Sequence, residues 1–217
     1  MKSYLEALSK NPDPDAMREG LKLTEPNSIA YVYLNHQANV SEAGLDAGQP
    51  FPKEDVTAVA GDAFKVCSDP TDETTCDIFG NFKINAAAKL VDLTVDKQPV
   101  GPRLTAGNGQ TVTAGGAKFT FLTAYKTISS NDLFVTVRVE TSAKAITLNS
   151  SGASYRGPDG KQRIATSATG ATDIIANSNT IVAIAFAGVK VGGRVTLGGW
   201  VGQNASGGEF TAVMQVG

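Results

Sequence analysis

From residue 118 to the C-terminus the chain repeats one pattern, an apolar residue at every second position. In 133–141, Leu133, Val135, Val137 and Val139 alternate with Phe134, Thr136, Arg138 and Glu140, and a period of two puts one set of side chains on one face of a strand. In 118–127 the same reading places Phe119, Phe121 and Tyr125 on a shared face, and Ser129-Ser130-Asn131-Asp132 joins the two runs as a hairpin. Further strands are expected over 145–148, 154–156, 163–167, 180–186, 194–201 and 210–216, with Gly, Asn, Ser or Asp at most joins. The stretch 181–187 is apolar on both faces, as a central strand is. Seven or eight strands in about 115 residues, without a helical period, predict a two-sheet antiparallel sandwich of immunoglobulin-like architecture rather than a barrel closed around a ligand.

The first half has a different composition. Cut at Pro99-Val-Gly-Pro102, residues 1–102 hold 9 Lys or Arg against 16 Asp or Glu, and residues 103–217 hold 10 against 5. The halves therefore carry formal charges of −7 and +5, and 17 of the 23 glycines lie in the second. We expect a domain border there, with an α+β domain over 1–100 and the sandwich over 103–217. The basic residues of the second half are scattered, and the net charge is −2, so no nucleic-acid footprint is expected. A hydrophobic content of 41% against 18% charged residues predicts packed cores.

Within 1–100, Tyr4, Leu5 and Leu8 begin a first helix, and Asp13-Pro14-Asp15 supplies a cap, a proline at the first helical position and a carboxylate near a helix N-terminus. Thr24-Glu25-Pro26 is expected to open a third helix. Its residues Ile29, Tyr33, His36 and Val40 fall on one face, and Gly44 is read as the stop. Strands follow at 56–60, 64–67, 78–84 and 90–95. The whole is predicted to be helices laid on a curled antiparallel sheet.

Cys67 and Cys76, the only cysteines, flank an acidic loop between two of these strands. Two cysteines across a tight hairpin suit a disulfide and match no zinc spacing; two free buried thiols are the alternative. A bridge implies an oxidising, extracytoplasmic compartment. No run reaches the ~18 apolar residues that cross a bilayer. Because Met1-Lys2-Ser3 leads straight into a helix, we expect an export signal or lipid-anchor segment to have been removed, which is the one membrane attachment foreseen.

The opening Tyr-Leu-Glu-Ala-Leu-Ser-Lys-Asn-Pro-Asp-Pro-Asp-Ala-Met and the later Lys89-Leu-Val-Asp-Leu-Thr-Val-Asp resemble the first helix and a late strand of NTF2-like domains of exported actinobacterial proteins, in a shorter form. In the second half, Phe-Leu-Thr-Ala-Tyr-Lys, Leu-Phe-Val-Thr-Val-Arg-Val-Glu and Tyr155-Arg-Gly-Pro-Asp-Gly-Lys are similar to small immunoglobulin-like sandwiches of bacterial surface proteins. These resemblances imply a fold and an address, and no reaction.

Chemistry-bearing residues are few. His36 is the lone imidazole; Asp92 or Asp96 on a facing strand would orient it for proton transfer, and Tyr31, Tyr33, His36 and Asp92 form a candidate pocket. The bland reading is a buried histidine satisfied by one hydrogen bond. Asp69, Asp72, Glu73 and Asp77 offer oxygen for a weak calcium site, but the spacing is not that of an EF-hand and solvated loop charges fit better. There is no nucleophile elbow, nucleotide loop or metal-ligand cluster, so no cofactor is expected. Trp200, beside Gly198 and Gly199, is read as core of the sandwich before it is read as an exposed contact residue. The expected function is non-enzymatic: a binding or structural protein of the bacterial cell envelope, whose partner is an unidentified protein or envelope component. The alternatives are a carrier or modest enzyme using the first-domain pocket, and a spacer.

Overall fold

The computed structural model describes residues 1–217. Three helices lead the chain: α1 (Lys2–Leu8), α2 (Pro14–Arg18) and α3 (Ile29–Asp46). Asp13 caps α2 as its sequence predicts, its Oδ1 accepting the Ala16 N–H at 2.9 Å. The cap of α3 is Ser28, whose hydroxyl accepts the Tyr31 N–H at 3.2 Å; Thr24-Glu25-Pro26 lies before it. Gly44 does not stop α3, which continues to Asp46. A Cβ at Gly44 would meet the Phe51 ring at 2.7 Å, so the glycine admits an aromatic ring against the helix and its role is packing.

Five strands follow as an antiparallel meander in the order of the chain: β1 (Asp55–Val59), β2 (Ala63–Cys67), β3 (Cys76–Ile84), β4 (Leu90–Val95) and the short β5 (Gln98–Pro99). Cys67 and Cys76 are direct cross-strand partners and form a disulfide. One face of the meander packs on the helices, burying Phe79, Leu93 and Val95 with Tyr4, Leu5, Met17 and Leu34.

The rest of the chain is all strand: β6 (Leu104–Ala106), β7 (Thr111–Ala114), β8 (Ala117–Lys126), β9 (Asp132–Thr141), β10 (Ile146–Arg156), β11 (Gln162–Ile164), β12 (Ser167–Thr169), β13 (Asp173–Ile174), β14 (Asn179–Ala187), β15 (Gly193–Val201) and β16 (Glu209–Val216). They make two antiparallel sheets. One runs β12-β14-β9-β8-β6 with β7 on β8; the other runs β11-β10-β15-β16 with β13 on β10. Their inner faces share a core that includes Phe119, Val137, Ile184, Tyr155, Leu197 and Ala212. The molecule is mostly β, with few helices and three antiparallel sheets, two of them stacked.

Two expectations about side-chain direction are corrected. A β-bulge interrupts the β8–β9 register between Phe121 and Thr123, and a one-residue slip turns every later side chain to the other face. Phe119 and Phe121 enter the sandwich core, whereas Tyr125 joins the helical core beside Tyr33. Trp200 is not core. It shares the outward side of β15 with Arg194, Thr196 and Gly198, while Val195 and Leu197 fill the inside.

The border near Pro99–Pro102 separates the meander from the sandwich along the chain, yet α3 contacts both. It lies on β4 on one side and on β14 and β8 on the other. Ile181 and Ala183 of β14 pack with Ala43 of α3, and Val182, Ile184 and Phe186 face the sandwich core. This double burial is why 181–187 is apolar throughout. No helix is long and apolar enough to cross a membrane.

Candidate functional site

Two adjoining concavities of the molecule meet at Glu54. The residue lies in the extended segment between α3 and β1, tied to the end of α1 by its N–H, which donates to the Ser9 carbonyl at 3.1 Å. Below it is a small polar cavity of about 120 Å³ between the helices and the meander, lined by Asn11, Tyr33, Gln37, Glu54, Thr75 and Asp77 among others. Above it an open groove of about 850 Å³ runs between α1, α2 and β1, with Lys2, Lys10, Lys22 and Lys53 facing Glu6, Asp13, Glu19 and Asp55. Glu54 borders both.

The positions follow from periodicity. Tyr33 and Gln37 are four residues apart on α3 and so project together, and Asp77 follows Cys76 at the start of β3, beside the bridge. Burial, then the charge of Asp77, raise the Glu54 carboxyl to about 7, while a hydrogen bond with Asn11 opposes the shift. Burial also raises Asp77, and the Asp96 carboxylate adds to it. Glu54 is thereby kept partly protonated near neutrality, beside a cavity large enough for a few waters.

His36 lies elsewhere on α3. Its Nδ1 is 2.9 Å from the Thr123 hydroxyl on β8, and its ring lies at 5.8 Å from that of Tyr125. It is 1% exposed, and burial pushes its pKa down to about 3. The imidazole is neutral and serves as a hydrogen-bonding group between helix and sheet. Asp92 does not reach it: Asp92 pairs with Lys83 at 2.6 Å. Tyr31, two residues from Tyr33, points to another side of the helix. Of the four candidate pocket residues, Tyr33 alone lines the polar cavity.

The acidic loop is likewise taken apart. Asp69 and Asp72 each accept the hydroxyl and N–H of the threonine two residues on, Thr71 and Thr74, which holds both carboxyls below their ordinary range. Glu73 pairs with Lys65 at 2.6 Å, and Asp77 turns toward the cavity. No three His, Cys, Asp or Glu side chains are arranged to hold a metal ion. The four carboxylates thus have separate surroundings: turns engage Asp69 and Asp72, Lys65 engages Glu73, and Asp77 lines the cavity.

Glu54, Gln37, Asn11 and Thr123 went unnoticed in the sequence. Phe51-Pro-Lys-Glu-Asp-Val56 carries no signal beyond charge, and the role of Thr123 depends on the bulge before it. No family model matches the chain, and no curated protein and no solved structure is detectably similar to it.

Proposed function

We propose that the protein is a non-enzymatic binding protein of the bacterial cell envelope, working outside the cytoplasm and recognising its partner through its surface. The observation that carries this reading is the fate of the only imidazole: buried, neutral and bonded to Thr123 between two layers, it is spent on architecture and is out of reach of a substrate. The Cys67–Cys76 bridge supports the address, since such bonds persist in oxidising compartments. The stacked sheets support an immunoglobulin-like sandwich, and helices on a curled meander support a short NTF2-like module, with α3 shared between them.

A second reading rests on Glu54. A carboxyl raised to about 7 at the mouth of a polar cavity has the protonation balance of a general acid, or of a site that takes up a small polar ligand. The two readings separate in one experiment. Oxidised protein is mixed with insoluble envelope fragments of an actinobacterium, and the bound fraction is measured for parent and Glu54→Gln. Saturable adsorption that Glu54→Gln leaves unchanged is expected. No adsorption removes the first reading, and adsorption lost in Glu54→Gln moves function to the cavity.

A further inference from the structure

The two outer faces of the sandwich are not equivalent. The β12-β14-β9-β8-β6 sheet is covered by α3, whereas no α-helix packs on the outside of β10-β15-β16; only the short 3-10 turn Gln203–Ala205 touches its Trp200 end, where the Ala205 N–H donates to the Thr147 hydroxyl at 3.2 Å. Strand β15 is the axis of that open face. Its register with β16 is unbroken from Gly193 to Trp200, so Arg194, Thr196, Gly198 and Trp200 all point outward, over about 20 Å of strand.

One end of this strip is cationic. Arg194 lies directly across from Arg156 of β10, and like charges in opposed positions on a sheet repel. Neither arginine takes part in an ion pair. The Arg156 guanidinium reaches only the Gln162 side-chain oxygen, at 3.5 Å, and Gln215 of β16 flanks Arg194 on the other side. Two exposed guanidinium groups side by side, with uncharged neighbours, form a fork suited to a carboxylate.

The other end is aromatic. Trp200 is partly exposed, and its neighbour on the same side, two residues earlier, is Gly198. A Cβ at Gly198 would touch only the Phe210 carbonyl oxygen, at 3.5 Å, so packing does not demand a glycine there. What the glycine leaves is an open shelf beside the indole. Between the ends lie Thr196, Ser154, Asn149 and Thr211. The exposed aliphatic side chains of this face are Val213 of β16, 45% exposed, and Ile164 of β11, 57% exposed; Ser154 and Thr196 lie between them, so they form no contiguous apolar core of the kind a protein interface has.

We propose that this face binds an anionic, uronate-bearing polysaccharide: a sugar ring rests its apolar C–H face on Trp200 and the Gly198 shelf, hydroxyls meet the central polar groups, and a carboxylate lies between Arg156 and Arg194. Glu209, across from Trp200, keeps further negative charge from that end, which disfavours a polyanion as densely charged as nucleic acid. The proposal deepens the envelope-binding reading and rests on it.

The test uses the oxidised full chain with polygalacturonate as probe and neutral dextran as control. Binding is read by retardation in polysaccharide-containing native gels and by the fluorescence of Trp200, the only tryptophan. Polygalacturonate is expected to retard the protein and shift the emission, with at least tenfold weaker binding in Arg156→Gln/Arg194→Gln and in Gly198→Val, whose melting temperatures match the parent. Trp200→Ala should lose retardation as well. Absence of binding, equal binding to dextran, or binding that survives all three variants overturns the proposal. If the parent still adsorbs to envelope fragments while polygalacturonate fails, only the assigned face falls. If adsorption also fails, the envelope reading falls with it.

Discussion

His36 on α3 and Thr123 on β8, 87 residues apart in the chain, share a 2.9 Å hydrogen bond in the interior. Thr123 Oγ1 is also 2.7 Å from the Thr136 hydroxyl and 3.4 Å from the Asn39 amide nitrogen, which donates to it. These three partners saturate the one donor and two acceptor positions of a hydroxyl. Asn39 in turn accepts from Arg18 at 3.1 Å, and Arg18 pairs with Glu42. A polar chain therefore runs from α2 through α3 into the sandwich, within otherwise apolar contacts.

Thr123→Val keeps the shape and removes the hub, leaving polar groups of His36 and Asn39 buried without their partner. We expect a loss of about 1–3 kcal/mol, read as a lower urea midpoint. A midpoint equal to that of the parent would show that the chain of contacts contributes nothing to stability.

The pH dependence of stability should have two opposed slopes. His36 has an ordinary value of 6.5 and about 3 when folded, so between these values the unfolded chain binds more protons and stability falls as pH drops. Glu54 shifts the other way, from 4.5 to about 7; the folded chain binds the extra proton, and stability falls as pH rises through that window. Urea unfolding at half-unit steps from pH 4 to 8 should show the acid-side slope reduced in His36→Gln and the slope toward neutrality reduced in Glu54→Gln. The reverse assignment would contradict both burial arguments.

The disulfide closes a short loop, and its reduction should cost about 2–3 kcal/mol in the chain-entropy model. Thiol titration of the unfolded, unreduced protein should find no free sulfhydryl, since Cys67 and Cys76 are both engaged. Finding two would remove the bond and the compartment argued from it.

At the far end of α3, Asp46 Oδ2 accepts from the Thr180 hydroxyl at 2.7 Å and from the Ile181 N–H at 3.0 Å. A carboxylate in a last helical turn opposes the helix dipole, so its value here is attachment of the helix to β14. Asp46→Ala should cost about 1.5–3 kcal/mol, the range for hydrogen bonds to a charged group. Hydrogen exchange should quicken at the Ile181 amide; unchanged protection there would count against the clamp.

Features governed by near neighbours in the chain were legible. Asp13 caps α2 because its side chain meets an N–H three residues on, and β4 spans Leu90–Val95 as its alternation predicts. The bridge was legible for the same reason, as the hairpin places its two sulfurs together. The candidate pocket was not. Tyr33 and His36 are three residues apart, yet one lines the cavity toward the meander and the other faces β8. Which face of α3 receives which sheet depends on a partner strand encoded some 80 residues later.

The sequence by itself determined the longer strands, the Asp13 cap, the hairpin between β8 and β9 and the bridge, because each arises from side chains within about ten positions of one another. Tertiary structure alone decided that a bulge before Thr123 turns Tyr125 toward the helices, that Trp200 faces outward, that Asp77 turns inward from its loop, and that Glu54 holds its proton near neutrality. Each of these depends on burial and on groups brought together from distant segments. Desolvation and strand phase are properties of the packed molecule, absent from any local stretch of chain.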